Sequence, residues 1–482
     1  MSSLRDVILT LDATAQAALV RKKDVSAREL IEAAIGNVER FNPAINAVTV
    51  KNYDGVLSDA DRIDLRGADA PFAAVPFLLK DLGPTCAGLE ACLGSAFLAG
   101  FVPQRDAELI TRFRRAGLLF LGKSNTAEFG ALPTTEPAFL GATRNPWALD
   151  RSAGGSSGGA AAAVAAGLVP VAHGNDAGGS IRIPASCCGV FGLKPTRARV
   201  SLGPDVGDLM NGLVCEFVLS RSVRDSAALL DAVAGPVPGD PYYAPPAPRS
   251  FTEALTPSQR CLRIAVAPAA AEDDPSCSDA TRRAARLCSE LGHRVEEVSL
   301  PAKFAELREL FVAVWAAGVS SAITSYAQLS GREPRPEHFE EFTFWLYEQG
   351  QRISASRYLV AIGHLQRAAR KLAAFYEHYD IYLSSVTSQP APPIGYFASG
   401  TVEQQLERAL TFVADTPLAN LTGQPAMSVP VYRCGNGLPV GAHFTARVGD
   451  EASLLGLAAQ LEMACPWSAH LPATTSAAPP LN

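Results

Sequence analysis

The sequence predicts an α/β fold built as a single large mixed β-sheet core flanked by helices. Three observations carry this expectation. With 482 residues, of which 48% are hydrophobic and 19% charged, the chain can bury one continuous core. Short apolar runs alternate with helical patterns, as in "FAAVPFLLKDL" followed by "DAELITRFRRAGLLFLGKSN", which is the pattern of strands separated by helices that pack on a sheet. The same order returns in "CLRIAVAP", "SDATRRAARLCSELG" and "HRVEEVSLP".

Taken along the chain, residues 14–40 place Ala17, Leu19, Val20, Leu30, Ile31, Ile35 and Val38 at helical spacing, with Ser26 as N-cap of the second half. Residues 1–65 are therefore expected to form a helical arm. A strand ends at Lys80, and Gly117 separates a helix from a buried strand, so residues 66–235 read as the core unit. In the later strand–helix–strand unit Ser278 is expected to cap the helix and Gly292 to stop it. The Pro-rich stretch Gly239–Ser250 reads as a surface loop. Residues 236–379 form a variable α/β and helical region. Its part from 302 to 379 is rich in aromatics, including Phe304, Phe311, Trp315, Tyr326 and Phe342, whose ordinary role is helix packing. Residues 380–482 complete one continuous domain, with a tail from Leu471 expected to fray.

Composition excludes several classes of function. The formal charge is −6 with no basic run, whereas nucleic-acid and anionic membrane surfaces call for clustered Lys and Arg. Arg5, Asp6, Asp12, Arg21, Lys22, Lys23 and Asp24 leave no apolar stretch of signal-peptide type in residues 1–30, so a cytoplasmic location is expected. The ten cysteines contain no Cys-x-x-Cys pair and read as buried thiols. The seven histidines show no metal-ligand spacing, and no metal is expected.

The stretch "RSAGGSSGGAAAAVAAG", Arg151–Gly167, has the composition of a flexible linker. However, Gly158 and Gly159 open an alanine run that ends at Gly167, which reads as a closely packed buried helix. Such an N-terminus is able to hold an anion, but no Gly-Lys-Ser/Thr follows and the glycines fit neither phosphate-loop spacing. A second cluster, "HGNDAGGSIRIPASCCGVFGLKP", sets Ser180 after Gly178 and Gly179. Small residues there free backbone N–H groups to converge on one point, as an oxyanion hole requires. Lys80 follows an apolar run. A lysine that reaches solvent from a strand end is the commoner case, but one held among apolar neighbours loses hydration of its ammonium, and the neutral amine becomes a usable base. A serine nucleophile, a second hydroxyl and a lysine base fit one chemistry.

On these residues the chain resembles the amidase signature family. The hallmark is "GGSSGGAAAAVAAG" with "NDAGGSIRIPASCCGVFGLKPT", which places Ser156 and Ser180 at family spacing, together with the upstream "LLKD". Supporting matches are "LGKSNTAEFG", "TRNPW", "SQPAPPIG" and "NLTGQPAMSVPV". The resemblance implies the amidase signature fold with a Ser-cisSer-Lys site: Ser180 as nucleophile, Ser156 as bridging serine after a cis Gly155–Ser156 peptide, and Lys80 as base. It further implies an oxyanion hole from the backbone of Ala177, Gly178, Gly179 and Ser180, a Ser157 that orients the loop or Lys80, and an Asp176–Arg182 pair that flanks it. No cofactor is implied. The chain departs from many relatives in having Ala153 in place of Pro and Asn175-Asp176 in place of Thr-Asp.

Among the family's branches it is similar to bacterial amidases acting on synthetic amides, including nylon-oligomer cyclic-dimer hydrolases, and to carbamate-cleaving urethanases. The expected reaction is hydrolysis of C–N bonds in a small-molecule amide or carbamate through an acyl-enzyme, by a monomer or homodimer with no nucleic-acid or membrane partner. Phe129, Gly130, Ala131, Leu132 and Trp315 are candidates for an apolar substrate pocket, plain core being their equally ordinary role. A glutamine-hydrolysing amidotransferase subunit and a non-catalytic scaffold are the competing functional readings.

Overall fold

A computed structural model describes residues 4–66, 69–247, 250–256, 260–271 and 273–476. Its strands are β1 (Val48–Lys51), β2 (Pro76–Lys80), β3 (Leu119–Ser124), β4 (Arg144–Asn145), β5 (Ala148–Ser152), β6 (Val171–Asp176), β7 (Phe191–Lys194), β8 (Cys215–Ser220), β9 (Arg263–Val266), β10 (Arg294–Glu297), β11 (Ile381–Ser385), β12 (Ala426–Arg433) and β13 (Pro439–Ala446). Eleven of them form one sheet in the order β1-β3-β2-β6-β8-β7-β12-β13-β11-β9-β10, while β4 and β5 make a separate hairpin. The sheet is mixed. β2 runs parallel to β3 and β6, and β9 parallel to β10 and β11, whereas β6–β8, β8–β7, β7–β12, β12–β13 and β13–β11 are antiparallel. Every residue of β2, β3, β6 and β8 is buried. Strands covered on both faces read as continuous apolar runs, which is why "VPFLL" and "LLFL" were legible as strands.

The alanine-rich segment is the helix Gly158–Ala165, with all eight residues buried and Gly167 in the left-handed conformation (φ +72°) after its last turn. It packs on β2, β3, β6 and β8. Small side chains allow this approach. A Cβ at Gly159 would come within 2.5 Å of the backbone N and O of Asn125.

The N-terminal region contains the helices Ala13–Arg21 and Ala27–Ile45, the second capped by Ser26 in a reciprocal pair with Glu29. The region is not purely helical, because β1 pairs with β3 and forms one edge of the sheet. The helix Pro275–Glu290 begins about one turn earlier than Ser278 suggested: Asp274 is its N-cap and accepts from the Ser276 N–H, with Pro275 in the first turn. Proline suits that place because its missing N–H is one that the helix leaves unpaired. Gly292 follows this helix with φ +90°. In the variable region the helices Arg308–Ser330, Glu341–Gln351 and Ala355–Phe375 pack on one another. Their apolar residues form a second core with residues 91–98 and 129–132. The segment Phe304–Ser330 is apolar and long enough to cross a bilayer, and its Phe311, Val314, Val319 and Ile323 are buried in that core. Of the ten cysteines, seven are buried, Cys434 and Cys465 are partly buried, and Cys261 is exposed. The expected frayed tail begins with a short helix, Ala473–Ser476, in which the Thr474 hydroxyl donates to the Pro146 carbonyl, and residues 477–482 lie outside the described residues.

Gly159→Ala tests the close packing of the alanine-rich helix. Alanine is favoured over glycine within a helix by about 1 kcal/mol, but here its methyl meets backbone that cannot rotate away, and overpacking costs about 1–3 kcal/mol. The variant is expected to unfold at lower temperature and denaturant than the wild type. An unchanged or raised midpoint would show that the methyl is accommodated.

Candidate active site

Three neighbouring strands converge on one amino group. Lys80 is the last residue of β2 and only 1% exposed. Its Nζ lies 2.6 Å from Ser156 Oγ and 2.6 Å from Asn175 Oδ1, donating to both. Burial pushes the lysine down to about 7, and the carboxylates of Glu216 and Asp176 pull weakly the other way. No carboxylate bonds to it directly. The arrangement suits an amine that exchanges a proton near neutral pH rather than a permanently charged lysine.

Ser156 sits on the turn before the alanine-rich helix and is 2% exposed. Its backbone N–H donates to Ser180 Oγ at 3.2 Å, so the turn touches both the lysine and the second serine. The expected cis bond is absent: Gly155–Ser156 is trans, and the cis bond found among the described residues is Gly203–Pro204. The chain is turned instead by Gly154 and Gly155 in succession, with φ of +74° and +53°. Gly155 cannot be replaced there, since a Cβ would lie 2.4 Å from Pro184 Cδ. The turn is clamped at both peptide groups. Gly155 N–H donates to the Pro133 carbonyl (2.9 Å) and its carbonyl accepts from Thr135 Oγ1 (2.8 Å). Ser157 is buried, and its hydroxyl donates to the Asn175 carbonyl at 3.2 Å. It therefore ties the loop to β6 and makes no bond to Lys80.

Ser180 stands partly exposed at the end of the loop after β6. Asp176 and Arg182 pair through two bonds, Nε to Oδ2 at 2.9 Å and Nη2 to Oδ1 at 2.8 Å, both side chains fully buried. Burial works against the Asp176 charge, but the guanidinium prevails and holds the carboxyl well below the usual carboxylate range. The pair is completed by residues from far along the chain. Asn420 donates to Asp176 Oδ1 (2.9 Å) and accepts from Arg182 (2.7 Å), while Arg182 also reaches the Thr416 carbonyl (2.8 Å) and His443 Nε2 (2.9 Å). Thr416 Oγ1 in turn donates to the Gly178 carbonyl (2.9 Å).

One expected oxyanion donor is occupied. Gly179 N–H donates to Asp176 Oδ1 at 2.8 Å, and Ile181 N–H to Asp176 Oδ2 at 3.2 Å. The carboxylate lies beneath the turn and takes the N–H groups that point inward. The N–H groups of Ala177, Gly178 and Ser180 have no acceptor among the described residues.

The apolar candidates surround this loop. A Cβ at Gly130 would stand 3.6 Å from Ser156 Oγ and 2.8 Å from Leu82 Cδ2, so the 129–132 turn abuts Ser156. Phe129, in the left-handed region at φ +48°, packs its ring against Tyr326 and Phe339. Ala131 and Leu132 are buried in the same cluster. Trp315 stacks between Phe311 and Phe342 rather than against the serines. Phe311, which sequence reasoning had placed with the plain core, is the ring that meets the loop: a Cβ at Gly178 would come within 3.0 Å of its Cζ. Asn420 lies in the quoted "NLTGQP" stretch and was findable there. His173, which opens the quoted "HGNDAGGS" stretch, and Glu216, which lies in no motif, bond to each other beside Asn175.

Comparison with known proteins places the chain in a family. The profile of the family described as Amidase matches residues 29–455. The 6-aminohexanoate-cyclic-dimer hydrolase of Pseudomonas sp. (strain NK87) is 40% identical over 485 residues, covering 97% of each chain. The solved structure of 6-aminohexanoate cyclic dimer hydrolase complexed with substrate superposes with a TM-score of 0.92 at 37% identity, over 97% of this chain and 99% of that one. A bacterial aryl acylamidase of the amidase signature family superposes with a TM-score of 0.88 at 26% identity, over 98% and 99%. With its eleven-stranded mixed sheet, its glycine-serine turns and these relatives over nearly its whole length, the chain belongs to the amidase family and is an amidohydrolase acting on amide bonds.

Proposed function

We propose that this amidase cleaves the C–N bond of apolar amides, linear or cyclic, through an acyl-enzyme on Ser180, with Ser156 as proton relay and Lys80 as base. The observation that carries the reading is the buried Lys80 Nζ at 2.6 Å from Ser156 Oγ, on a turn whose N–H reaches Ser180 Oγ. Neutral Lys80 takes the Ser156 proton as Ser156 takes that of Ser180, and Ser180 Oγ bonds to the carbonyl carbon. The N–H groups of Ala177, Gly178 and Ser180 stabilise the oxyanion, where each donor is worth about 10²–10³ in rate. Collapse breaks the C–N bond while the proton returns through Ser156 to the leaving nitrogen. Water then attacks the acyl ester, its proton passing to Lys80 and back to Ser180, and the carboxylic acid leaves.

The apolar preference rests on the surroundings. Phe129, Leu132 and Phe311 belong to one hydrophobic cluster beside the loop, and apolar surface removed from water is worth about 25 cal/mol per Å². A buried primary amide side chain such as glutamine's would need matched polar partners instead. The 6-aminohexanoate cyclic dimer, named for the 40% identical relative, joins its amides by methylene chains and is a compound of the favoured kind. Aryl carbamates present the same carbonyl with an apolar leaving group and form the second class to test.

Ser180→Ala is expected to abolish turnover and labelling by a tagged fluorophosphonate while the thermal midpoint stays close to wild type. Near-wild-type activity, or labelling at another residue, would contradict the assignment. For wild type, kcat/KM is expected to rise as pH passes through about 7 and to level off above it, because deprotonation creates the base. Lys80→Ala should lose this limb together with orders of magnitude in rate. In a panel of the 6-aminohexanoate cyclic dimer, an anilide, an aryl carbamate and glutamine, an apolar compound is expected to lead in kcat/KM. A tenfold preference for glutamine would overturn the apolar pocket and favour the amidotransferase alternative.

A further inference from the structure

Beneath Lys80 lies a polar chain that the proton relay does not use. β6 runs between β2 and β8, and its antiparallel register sets Glu216 of β8 directly opposite Asn175. Glu216 Oε1 accepts from Asn175 Nδ2 (3.3 Å) and Glu216 Oε2 meets His173 Nε2 (2.8 Å). Asn175 Nδ2 also donates to the Leu82 carbonyl (3.1 Å), and the Lys80 backbone N–H points at His173 Nδ1 (3.3 Å). His173, Glu216 and Asn175 are all buried.

These bonds admit one orientation. A backbone N–H can only donate, so His173 Nδ1 is the acceptor and the ring proton sits on Nε2, donated to Glu216. The Leu82 carbonyl and Glu216 both accept, so the Asn175 NH₂ faces them and its oxygen faces Lys80. A neutral amine has two N–H bonds and one lone pair. With one N–H held by Asn175 Oδ1, the lone pair is free to be aimed at the Ser156 hydroxyl. We propose that Asn175 and Glu216 are positioning residues of the amidase reaction: Asn175 orients the Lys80 amine toward Ser156, and Glu216 holds Asn175 in the orientation that makes this possible.

The inference rests on Lys80 acting as the base, as proposed above. Glu216 is suited to the task because only a carboxylate offers two acceptors to two facing donors, Asn175 and His173. A glutamine has one acceptor, so either the His173 bond is lost or Asn175 turns over and presents its NH₂ to the lysine. The titratable groups around Lys80 are Asp176 and His173 from β6 and Glu216 from β8, of which the two carboxylates act on its charge. Lys123 of β3 and Asp81, after β2, form their own ion pair at 3.5 Å. Asp176 is neutralised by Arg182, which leaves Glu216 as the carboxylate that supports the protonated lysine.

The test is the rate of Ser180 inactivation by a fluorophosphonate across about pH 5–9, measured on wild type, Glu216→Gln and Asn175→Leu, with thermal midpoints alongside. In Glu216→Gln the acid limb is expected to move to lower pH by about one unit, since an opposing charge is removed from beside the lysine. In Asn175→Leu the plateau is expected to fall about 10²-fold, the usual cost of a misaimed catalytic group, and the limb to move the same way because the ammonium loses an acceptor. A purely structural role would lower midpoints and scale the rates equally at every pH. Folded variants whose limbs coincide with the wild type's would overturn the proposal, as would failure of both variants to fold, which would assign the chain to folding instead. Wild type that is not labelled at Ser180 would overturn the reading on which the proposal rests, whereas labelled wild type with unmoved limbs in the variants would overturn the proposal alone.

Discussion

Taking the ammonium of Lys80 out of water costs several kcal/mol, and residues from adjacent strands answer that cost without cancelling it. The lysine ends β2, Asn175 comes from β6 and Glu216 from β8, so the compensation depends on the order and register of three strands in the sheet. Asn175 supplies an uncharged acceptor at 2.6 Å, and the carboxylate of Glu216 stands one residue further away. A carboxylate in direct contact would have fixed the lysine in its charged form. Placed behind an amide, it leaves the amine near neutrality and able to change state.

Asp176 and Arg182, six residues apart, have the direct ion pairing that Lys80 lacks. That buried pair has every reason to remain charged: two bonds between the partners, further bonds to Asn420, Thr416 and His443, and two backbone N–H groups on the carboxylate. Burial and the nearby guanidinium keep the His443 ring neutral, so it accepts from Arg182 without adding charge. Breaking such a pair by removing one partner leaves an uncompensated buried charge and typically costs about 3–5 kcal/mol. The two cations therefore have opposite duties. Arg182 ties the serine loop to its neighbours, and burial holds the Lys80 amine down to about 7 beside that frame.

The apolar cover is attached to this frame through polar bonds, among them those of Glu128. Glu128, raised to about 7 by burial, accepts from the Ser95 hydroxyl (2.6 Å) and from the Glu340 N–H (2.8 Å). It thereby joins the residues before the helix Glu341–Gln351 to the turn that bears Phe129. Phe129 holds a left-handed conformation that a bulky residue rarely adopts, which aims its ring at Tyr326 and Phe339 while Gly130 lies against Ser156. Aromatic packing and Ser156 are thus joined through two consecutive residues.

Local sequence determined a good deal of this protein. The alternation of apolar runs and helical patterns implied a mixed sheet with helices, and the alanine run after Gly158 and Gly159 implied a buried helix rather than a linker, because both are properties of neighbouring residues. The spacing of Lys80, Ser156 and Ser180 within recognisable motifs pointed to the amidase family and to a hydrolytic site. What local sequence did not contain was anything set by pairing across the fold. The trans Gly155–Ser156 bond, the capture of Gly179 N–H by Asp176, the contact of Phe311 with Gly178 and the start of the helix at Asp274 each depend on which side chain or backbone group arrives from elsewhere. Glu216 is the clearest case. It lies 41 residues after Asn175 in the chain and in no motif, and only the antiparallel register of β6 and β8 brings its carboxylate behind the lysine, since hydrogen-bonded strand pairing, not sequence proximity, decides which residues face one another.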